Sequence, residues 1–188
     1  MQNEIKSMME ESVETKRMCE ALAPKIEDAA DLIANALKNN KKILLAGNGG
    51  SAAMSSHIAA EFVGRYKIER KGLQAIALTT DLAAITAIGN DYGFDTIFER
   101  QLEALADEGD VFIVLSTSGN SRNLIKAVEA AKKLDVHVIG LLGKDGGKLK
   151  NTSNVEIIVP SDNTPRIQEA HLMILHIICE LIDKELFG

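Results

Sequence analysis

Five short apolar runs, separated by stretches with helical periodicity, constrain the fold of this chain more than any other feature of its sequence. The runs are rich in Val, Ile and Leu, and they lie at residues 42–47, 75–79, 111–116, 136–142 and 155–159. Continuously apolar strands are typical of parallel sheets that are covered on both faces. Their alternation with helices predicts an α/β fold, a three-layer sandwich with a five-stranded parallel sheet flanked by helices.

The helical stretches between and around these runs complete the prediction. They lie at residues 51–64, 82–88, 96–106, 121–134 and 164–186. Ahead of the first strand, residues 4–39 carry helical periodicity with a break expected at Pro24. We expect this N-terminal segment, residues 1–40, to pack on the domain or on a neighbouring subunit. No linker or repeat divides the 188 residues, so we expect a single domain over 1–188.

Charge and cysteine content exclude several classes of protein. The net charge is -6, and the only basic cluster, residues 65–71, is interrupted by Tyr66, Ile68 and Glu69. We interpret the cluster as a solvated turn, and we expect no nucleic-acid partner. Two cysteines in helical patterns favour a reducing compartment. The polar start of the chain and the absence of a long apolar run predict a cytoplasmic protein without a membrane partner.

Two loops of small residues follow the first and third predicted strands. Gly47–Ala53 reads GNGGSAA, and Ser116–Ser121 reads STSGNS. Ligands of open parallel sheets bind beyond the carboxyl ends of the strands, and hydroxyl and N–H groups at a helix N-terminus suit a phosphate. The alternative for each loop is a turn with a good helix N-cap. A Walker lysine and a GxGxxG pattern are both absent, which disfavours nucleoside triphosphate hydrolysis and dinucleotide binding.

Two predicted helices carry ionisable side chains among apolar ones. His57 and Glu61 are four residues apart and share one helix face; the alternative is a surface ion pair. The last helix is apolar nearly all round, interrupted by Gln168, His171 and His176. Buried ionisable groups need partners or a metal, and imidazole with carboxylate suits zinc. For His171 alone, a satisfied core or surface histidine is the favoured interpretation.

Together these motifs resemble the sedoheptulose-7-phosphate isomerases, or phosphoheptose isomerases, of the sugar-isomerase (SIS) domain superfamily. The resemblance covers nearly the whole chain, and its motifs are Asn48–Ser51, Ser55–Phe62, Asn90–Gly93, Ser116–Ser121 and Arg166–His171 with His176. The Ser116–Ser121 loop alone indicates only an SIS domain. The pairs His57/Glu61 and Gln168/His176 are specific to the heptose branch.

The resemblance implies a role for each matching residue. Glu61 and His176 match the catalytic acid–base pair, and the zinc site matches His57, Glu61, Gln168 and His176, with one zinc ion for each active site. The implied substrate contacts are Asn48, Gly49, Gly50, Ser51, Glu61, Asn90, Asp91, Ser116, Thr117, Ser118, Ser121 and Gln168. Of these, the hydroxyl residues of 116–121 match the phosphate cradle. Pro165 stands where some members carry an acidic residue, so the auxiliary role of that carboxylate is absent.

The implied activity is a ketose–aldose isomerisation. Sedoheptulose 7-phosphate would become D-glycero-D-manno-heptose 7-phosphate, the first step towards the nucleotide-activated heptose of bacterial surface polysaccharide. Such chemistry needs a base and an acid, and zinc could polarise the carbonyl. Glu61 cannot be a tight zinc ligand and a free base at once, so either the metal shifts on substrate binding or its role is structural.

Two alternatives belong to other classes. One is a non-catalytic SIS protein that interacts with the replication initiator, which would not need the zinc and acid–base residues. The other, a sugar-sensing transcriptional regulator, would need a DNA-binding domain that does not fit in this chain.

Assembly follows from the spacing of the last helix. Gln168 and His176 are eight residues apart, about 12 Å along a helix axis, whereas zinc bonds are only about 2 Å long. A neighbouring subunit that supplied one residue of the site would relieve this strain. Closed symmetry favours a dimer or a dihedral tetramer, and the resemblance points to a homotetramer with active sites at subunit interfaces.

Overall fold

A computed structural model describes all 188 residues, and it contains one five-stranded parallel sheet between layers of helices. The strands are β1 (Ile43–Gly47), β2 (Ala75–Ala77), β3 (Val111–Ser116), β4 (His137–Gly143) and β5 (Val155–Val159). The helices are α1 (Gln2–Met18), α2 (Ala23–Lys38), α3 (Gly50–Val63), α4 (Leu82–Tyr92), α5 (Glu99–Leu105), α6 (Arg122–Lys133) and α7 (Thr164–Phe187). The predicted fold class is therefore confirmed.

Two apolar cores cover the two faces of the sheet. Helices α2, α3 and α7 pack on one face through side chains such as Ile33, Ile58 and Ile174. On the other face, α5 and α6 pack through side chains such as Leu102 and Leu124. Every residue of β1 and β3 is buried, which is why these strands are continuously apolar rather than alternating.

The order of the strands determines where a ligand can bind. It is β2-β1-β3-β4-β5, so the chain leaves β1 towards one edge of the sheet and returns to β1's other side as β3. Such a reversal opens a crevice at the carboxyl ends of the two central strands. Gly47 of β1 lies opposite Leu115 of β3, so both predicted ligand loops begin side by side at this crevice.

Two element boundaries differ from the sequence prediction. Helix α4 continues to Tyr92, so Asn90 and Asp91 lie in its last turn rather than in a loop. The N-terminal helices are separated by a 3-10 turn, Cys19–Leu22, and Pro24 lies in the first turn of α2. Proline is tolerated there because the first N–H groups of a helix have no intrahelical acceptor.

Helix α1 lies on the outside of the described chain. Only Thr15 of this helix is buried, whereas an apolar stripe including Ile5, Met9 and Val13 is exposed. Polar contacts hold the helix to the start of α7: the Ser12 hydroxyl donates to Glu169 at 2.6 Å. No helix of the fold combines the length and the apolar character that crossing a membrane requires.

Candidate active site

The glycine loop after β1 turns the chain sharply into α3. Gly49 adopts a φ of 57°, in the region that favours glycine, and it is the N-cap residue of α3. Gly47 cannot carry a side chain, because a Cβ would lie 2.7 Å from the Cβ of Ser51. Ser51 is buried, and its N–H donates to the Asn48 carbonyl at 3.0 Å. Backbone groups of Gly49 and Gly50 are therefore left at the open surface of the crevice.

The second loop, Ser116–Ser121, offers hydroxyl groups in front of α6. Ser116 is buried, and its Oγ accepts the Gly119 N–H at 3.1 Å, which shapes the turn. Ser118 Oγ accepts the Asn120 N–H at 3.2 Å. Ser121 is the N-cap residue of α6, yet its hydroxyl makes no capping bond. A helix N-terminus with uncommitted hydroxyls is suited to an anion such as phosphate.

A third loop, which follows β4, contacts the Ser116–Ser121 loop and fixes its shape. Gly119 has a φ of 63°, and a Cβ on it would overlap the Gly146 carbonyl oxygen. The Gly119 carbonyl accepts the Leu149 N–H at 3.0 Å, and the Asn120 side chain accepts the Lys148 N–H at 3.2 Å. The hydroxyl loop is therefore held by contacts on its far side. The Ser116 and Ser118 hydroxyls accept backbone N–H groups but can still donate to a ligand.

A pair of side-chain amides joins the two ligand loops. Asn48 Nδ2 donates to Asn123 Oδ1 at 3.0 Å, and Asn123 Nδ2 donates back to Asn48 Oδ1 at 2.9 Å. Asn123 is only 2% exposed, in the first turn of α6. Sequence reasoning missed Asn123; the only signal was a polar residue at a position of α6 that faces the core.

The ionisable residues of α3 and α7 converge where these two helices are in contact. His57 Nε2 lies 3.0 Å from His176 Nε2 and 3.5 Å from Glu61 Oε1. One ligand atom from each of the three residues falls within a group whose members are all within 4.8 Å of one another. All three residues belong to one chain.

The donor set and its spacing fit a zinc ion. Zinc bonds of 2.0–2.1 Å in a tetrahedral arrangement place ligand atoms about 3.4 Å apart, close to the 3.0 Å and 3.5 Å separations. Two imidazoles and one carboxylate are also the ligands of many catalytic zinc sites. Burial raises the pKa of the Cys179 thiol to about 12, so without a metal the thiol is protonated at neutral pH.

Tyr66 packs on the ring of His176 from the loop after α3. Their ring centroids are 5.6 Å apart with an interplanar angle of 24°. Burial is the main cause that lowers the pKa of His176 below the usual value for histidine; the neighbouring His57 lowers it further, and Glu61 opposes both. A neutral His176 imidazole can both bind a metal and accept a proton.

Gln168 lies at the other end of α7 from His176, against the glycine loop. A Cβ on Gly50 would come within 3.0 Å of both Nε2 and Oε1 of the Gln168 amide, so a glycine at position 50 leaves room for this side chain. No hydrogen bond joins Gln168 to the group of His57, Glu61 and His176. Within one chain, the contact shown for the Gln168 amide is with the glycine loop.

Asn90 and Asp91 are both exposed at the end of α4. The Asn90 amide donates to the Asp91 carboxylate at 2.8 Å, and no hydrogen bond connects either residue to another predicted site residue. Helix α4 has no buried residue at all. Within one chain, the structure therefore does not bring this pair into contact with the rest of the site.

His171 and Arg70 are both buried side chains. His171 is fully buried, and its Nε2 lies 2.9 Å from the Leu142 carbonyl oxygen, so it is a core histidine. The basic cluster 65–71 is only partly a solvated turn, which corrects the prediction. The Arg70 side chain is 1% exposed, because it forms an ion pair with Asp183 of α7.

Comparison with known proteins gives the family of the chain. The family described as SIS domain matches residues 8–143. A phosphoheptose isomerase of Helicobacter hepaticus is 52% identical over 98% of this chain and 94% of its own length. The solved phosphoheptose isomerase of Neisseria gonorrhoeae is 47% identical with a TM-score of 0.91, covering 97% of this chain and 98% of the other. That of Francisella tularensis is 43% identical with a TM-score of 0.94, covering 97% of each chain.

Proposed function

The chain belongs to the phosphoheptose isomerase family of SIS-domain proteins, and from this premise we propose how its residues isomerise sedoheptulose 7-phosphate to D-glycero-D-manno-heptose 7-phosphate. Its enzyme class is that of a sugar-phosphate isomerase. The observation that carries the proposal is the convergence of His57, Glu61 and His176. It is supported by the two small-residue loops, which begin side by side at the carboxyl ends of β1 and β3.

The two ends of the substrate are assigned to different parts of the crevice. The hydroxyls of Ser116, Thr117, Ser118 and Ser121 hold the phosphate at the N-terminus of α6. His57 lies seven residues after the start of α3, about 10 Å along the helix axis. A seven-carbon chain carries its phosphate and its carbonyl at opposite ends, so the two groups can be bound by different elements. Anchoring the remote phosphate fixes the reacting carbons by position.

The chemical step needs a proton to move between two adjacent carbons. Glu61 takes the proton from the carbon next to the carbonyl, which leaves an enediolate, and returns it to the neighbouring carbon. His176 exchanges a proton with the substrate oxygens, and its lowered pKa keeps the imidazole able to accept one near neutral pH. Asn48, Gly49, Gly50, Ser51 and Gln168 line the sugar between these groups and the phosphate.

A zinc ion held by His57, Glu61 and His176 would supply Lewis-acid polarisation of the substrate carbonyl. Gln168 would be the fourth residue of the proposed ligand set, which the family resemblance implies. Glu61 cannot hold the ion and take a proton at the same moment. Removing zinc with a chelator therefore tests whether the metal takes part in the reaction. Retained activity after complete removal of zinc would assign the metal a structural role.

Matched substitutions at Glu61 test the assignment. Glu61→Gln preserves the size of the side chain but cannot accept a proton, so turnover should fall by about a hundredfold or more. His176→Asn should have a similar effect, whereas His137→Asn, at the amino end of β4, serves as the control. Turnover of Glu61→Gln within tenfold of the parent protein would remove Glu61 from the role of base.

We also propose a homotetramer with the active sites near subunit interfaces. The exposed apolar stripe of α1 continues into a groove lined by Val13, Cys19, Met173, Ile177 and Leu181, whose occupant would be a second copy of the chain. Helix α4, with no buried residue, would place Asn90 and Asp91 towards a neighbouring subunit. Sedimentation at micromolar concentration tests the assembly; a monomer with full activity would contradict it.

Subunit mixing tests whether Glu61 and His176 of one active site come from the same chain or from two chains. Glu61 and His176 lie together in one chain. Mixing inactive Glu61→Gln subunits with inactive His176→Asn subunits should therefore restore no activity. Recovery after verified subunit exchange would show that the two residues of one site come from different chains.

The non-catalytic alternative, a partner of the replication initiator, is not favoured. The relatives that cover nearly the whole chain are isomerases by name. Of the four residues that such a binding protein would not need, His57, Glu61 and His176 are brought together. A cytoplasmic location stays a prediction, supported by two free cysteines.

A further inference from the structure

Arg70 lies in the loop after α3, outside every motif assigned to the reaction, yet its guanidinium is almost completely buried. Its side chain is 1% exposed, and Nε donates to Asp183 Oδ1 of α7 at 2.6 Å, with Asp183 itself 4% exposed. The guanidinium carries further donors, and these do not point at solvent. They reach the end of α3.

The remaining donors of Arg70 cap the C-terminus of α3. Nη2 donates to the Glu61 carbonyl and Nη1 to the Phe62 carbonyl, each at 2.9 Å. No backbone N–H outside the helix reaches the Glu61 carbonyl, so Arg70 is its partner there. The last carbonyls of a helix lack intrahelical donors and attract a cation through the helix dipole. One side chain therefore holds the backbone of the residue proposed as the base.

Asp183 extends this contact to the helix that carries His176. It lies seven residues after His176, about 10 Å along α7. Its second oxygen accepts the Lys67 N–H at 3.4 Å, which fixes the loop that places Tyr66 on the His176 ring. The Arg70–Asp183 pair thus joins the C-terminal turn of α3 to α7 and orders the loop between them.

We propose that the Arg70–Asp183 pair is a positioning element that sets the separation of Glu61 and His57 on α3 from His176 on α7. This inference rests on the proposed function of those three residues. Without Arg70, the Glu61 carbonyl loses its donor, whereas the Phe62 carbonyl keeps the Leu73 N–H at 2.9 Å. The backbone that carries the Glu61 side chain is then less firmly held. The phosphate loops lie at the other end of α3 and are not touched by the pair.

The test replaces the buried pair without leaving a charge unpaired. Arg70→Met combined with Asp183→Leu removes both charges, and such apolar replacements of buried ion pairs are commonly tolerated by the fold. The matched control is Lys67→Gln combined with Glu180→Gln, which removes an exposed ion pair of 2.6 Å between the same loop and the same helix. Measurements are the affinity for zinc by competition with a chromophoric chelator, kcat and KM for sedoheptulose 7-phosphate, and the unfolding temperature.

A positioning role predicts a specific pattern. The zinc affinity of the folded Arg70→Met/Asp183→Leu protein should weaken by about 10- to 100-fold, as for residues that orient metal ligands. Its kcat should fall while KM stays near that of the parent, and the control should match the parent in all respects. Unchanged zinc affinity and unchanged kcat in a folded double variant would overturn the proposal, since a merely structural pair would alter the unfolding temperature alone.

A second variant keeps the test decisive if the double variant does not fold. Arg70→Lys retains a positive charge beside Asp183 but cannot reach the carboxylate and both carbonyls together. Lower zinc affinity than in the control supports the proposal, and equal affinity contradicts it. Glu61→Gln tests the proposed function separately. If that variant stays active, the assigned roles of the site residues are wrong, but the zinc affinity of the Arg70 variants still tests whether the pair positions the metal ligands.

Discussion

Protonation of His171 should destabilise this protein as the pH falls below neutrality. The side chain is fully buried on α7, where Nε2 donates to the Leu142 carbonyl at 2.9 Å and Nδ1 has no hydrogen-bond partner. Burial lowers its pKa from 6.5 to about 4, although the bond to Leu142 opposes the shift. Between these two values the unfolded chain binds a proton that the folded chain excludes.

The size of the effect follows from linkage. A depressed histidine pKa means that stability is fully present above pH 6.5, declines as the pH falls, and reaches its lower limit below about pH 4. A shift of about 2.5 units corresponds to roughly 3 kcal/mol in the free energy of unfolding. Since the total for a small domain is about 5–15 kcal/mol, the loss should be easily measured.

Urea unfolding measures the contribution of His171 to the free energy of unfolding. The parent protein and His171→Gln are compared at fixed protein concentration with chelator present. Glutamine can donate to the Leu142 carbonyl but does not titrate. The parent's stability relative to the variant should decrease by roughly 3 kcal/mol from pH 7.5 to pH 4. A difference between the two proteins that stays constant over this range would refute the reasoning, because it would mean that His171 keeps the same pKa when the chain unfolds.

Three further predictions concern the ligand loops and the assembly. Ser116→Ala combined with Ser118→Ala should raise KM for sedoheptulose 7-phosphate strongly, because two hydroxyls of the phosphate cradle are lost; an unchanged KM would contradict the cradle. Asn123→Ala leaves the Asn48 amide without its partner, so KM should rise and the free energy of unfolding should fall by about 1–3 kcal/mol; an intact KM would show that Asn48 does not need this support. Val13→Glu places a charge in the exposed apolar stripe and should lower the molecular mass found by sedimentation; an unchanged mass would exclude that stripe from the interface.

The fold could be predicted because each strand and helix carries its own local signal. The apolar runs that predict β1 and β3 are continuous since both faces of these strands are covered, and the small-residue loops mark their carboxyl ends. The sequence could not give the strand order, which depends on how the helices pack. That order is what brings Asn48 and Ser116 to the same crevice.

Contacts between segments that are distant in the chain could not be predicted from the sequence. Arg70 looks like one charge in a mixed surface cluster, and only its pairing with Asp183, 113 residues later, explains its burial. Asn123 and Tyr66 were missed for the same reason, because their partners lie in other elements. Gln168 and His176 are expected from their spacing to be too far apart for easy joint ligation, and this stays a prediction. Only His57 and Glu61 are shown to lie with His176 within one chain.

The most direct test of the account is to follow sedoheptulose 7-phosphate by NMR in the presence of the zinc-loaded protein. With the parent protein and with His137→Asn, signals of an aldoheptose 7-phosphate should grow until the ketose and the aldose reach equilibrium. With Glu61→Gln at the same concentration they should appear about a hundredfold more slowly or not at all. A parent protein that leaves the ketose unchanged, or a Glu61→Gln variant that converts it at the parent's rate, would contradict the central claim.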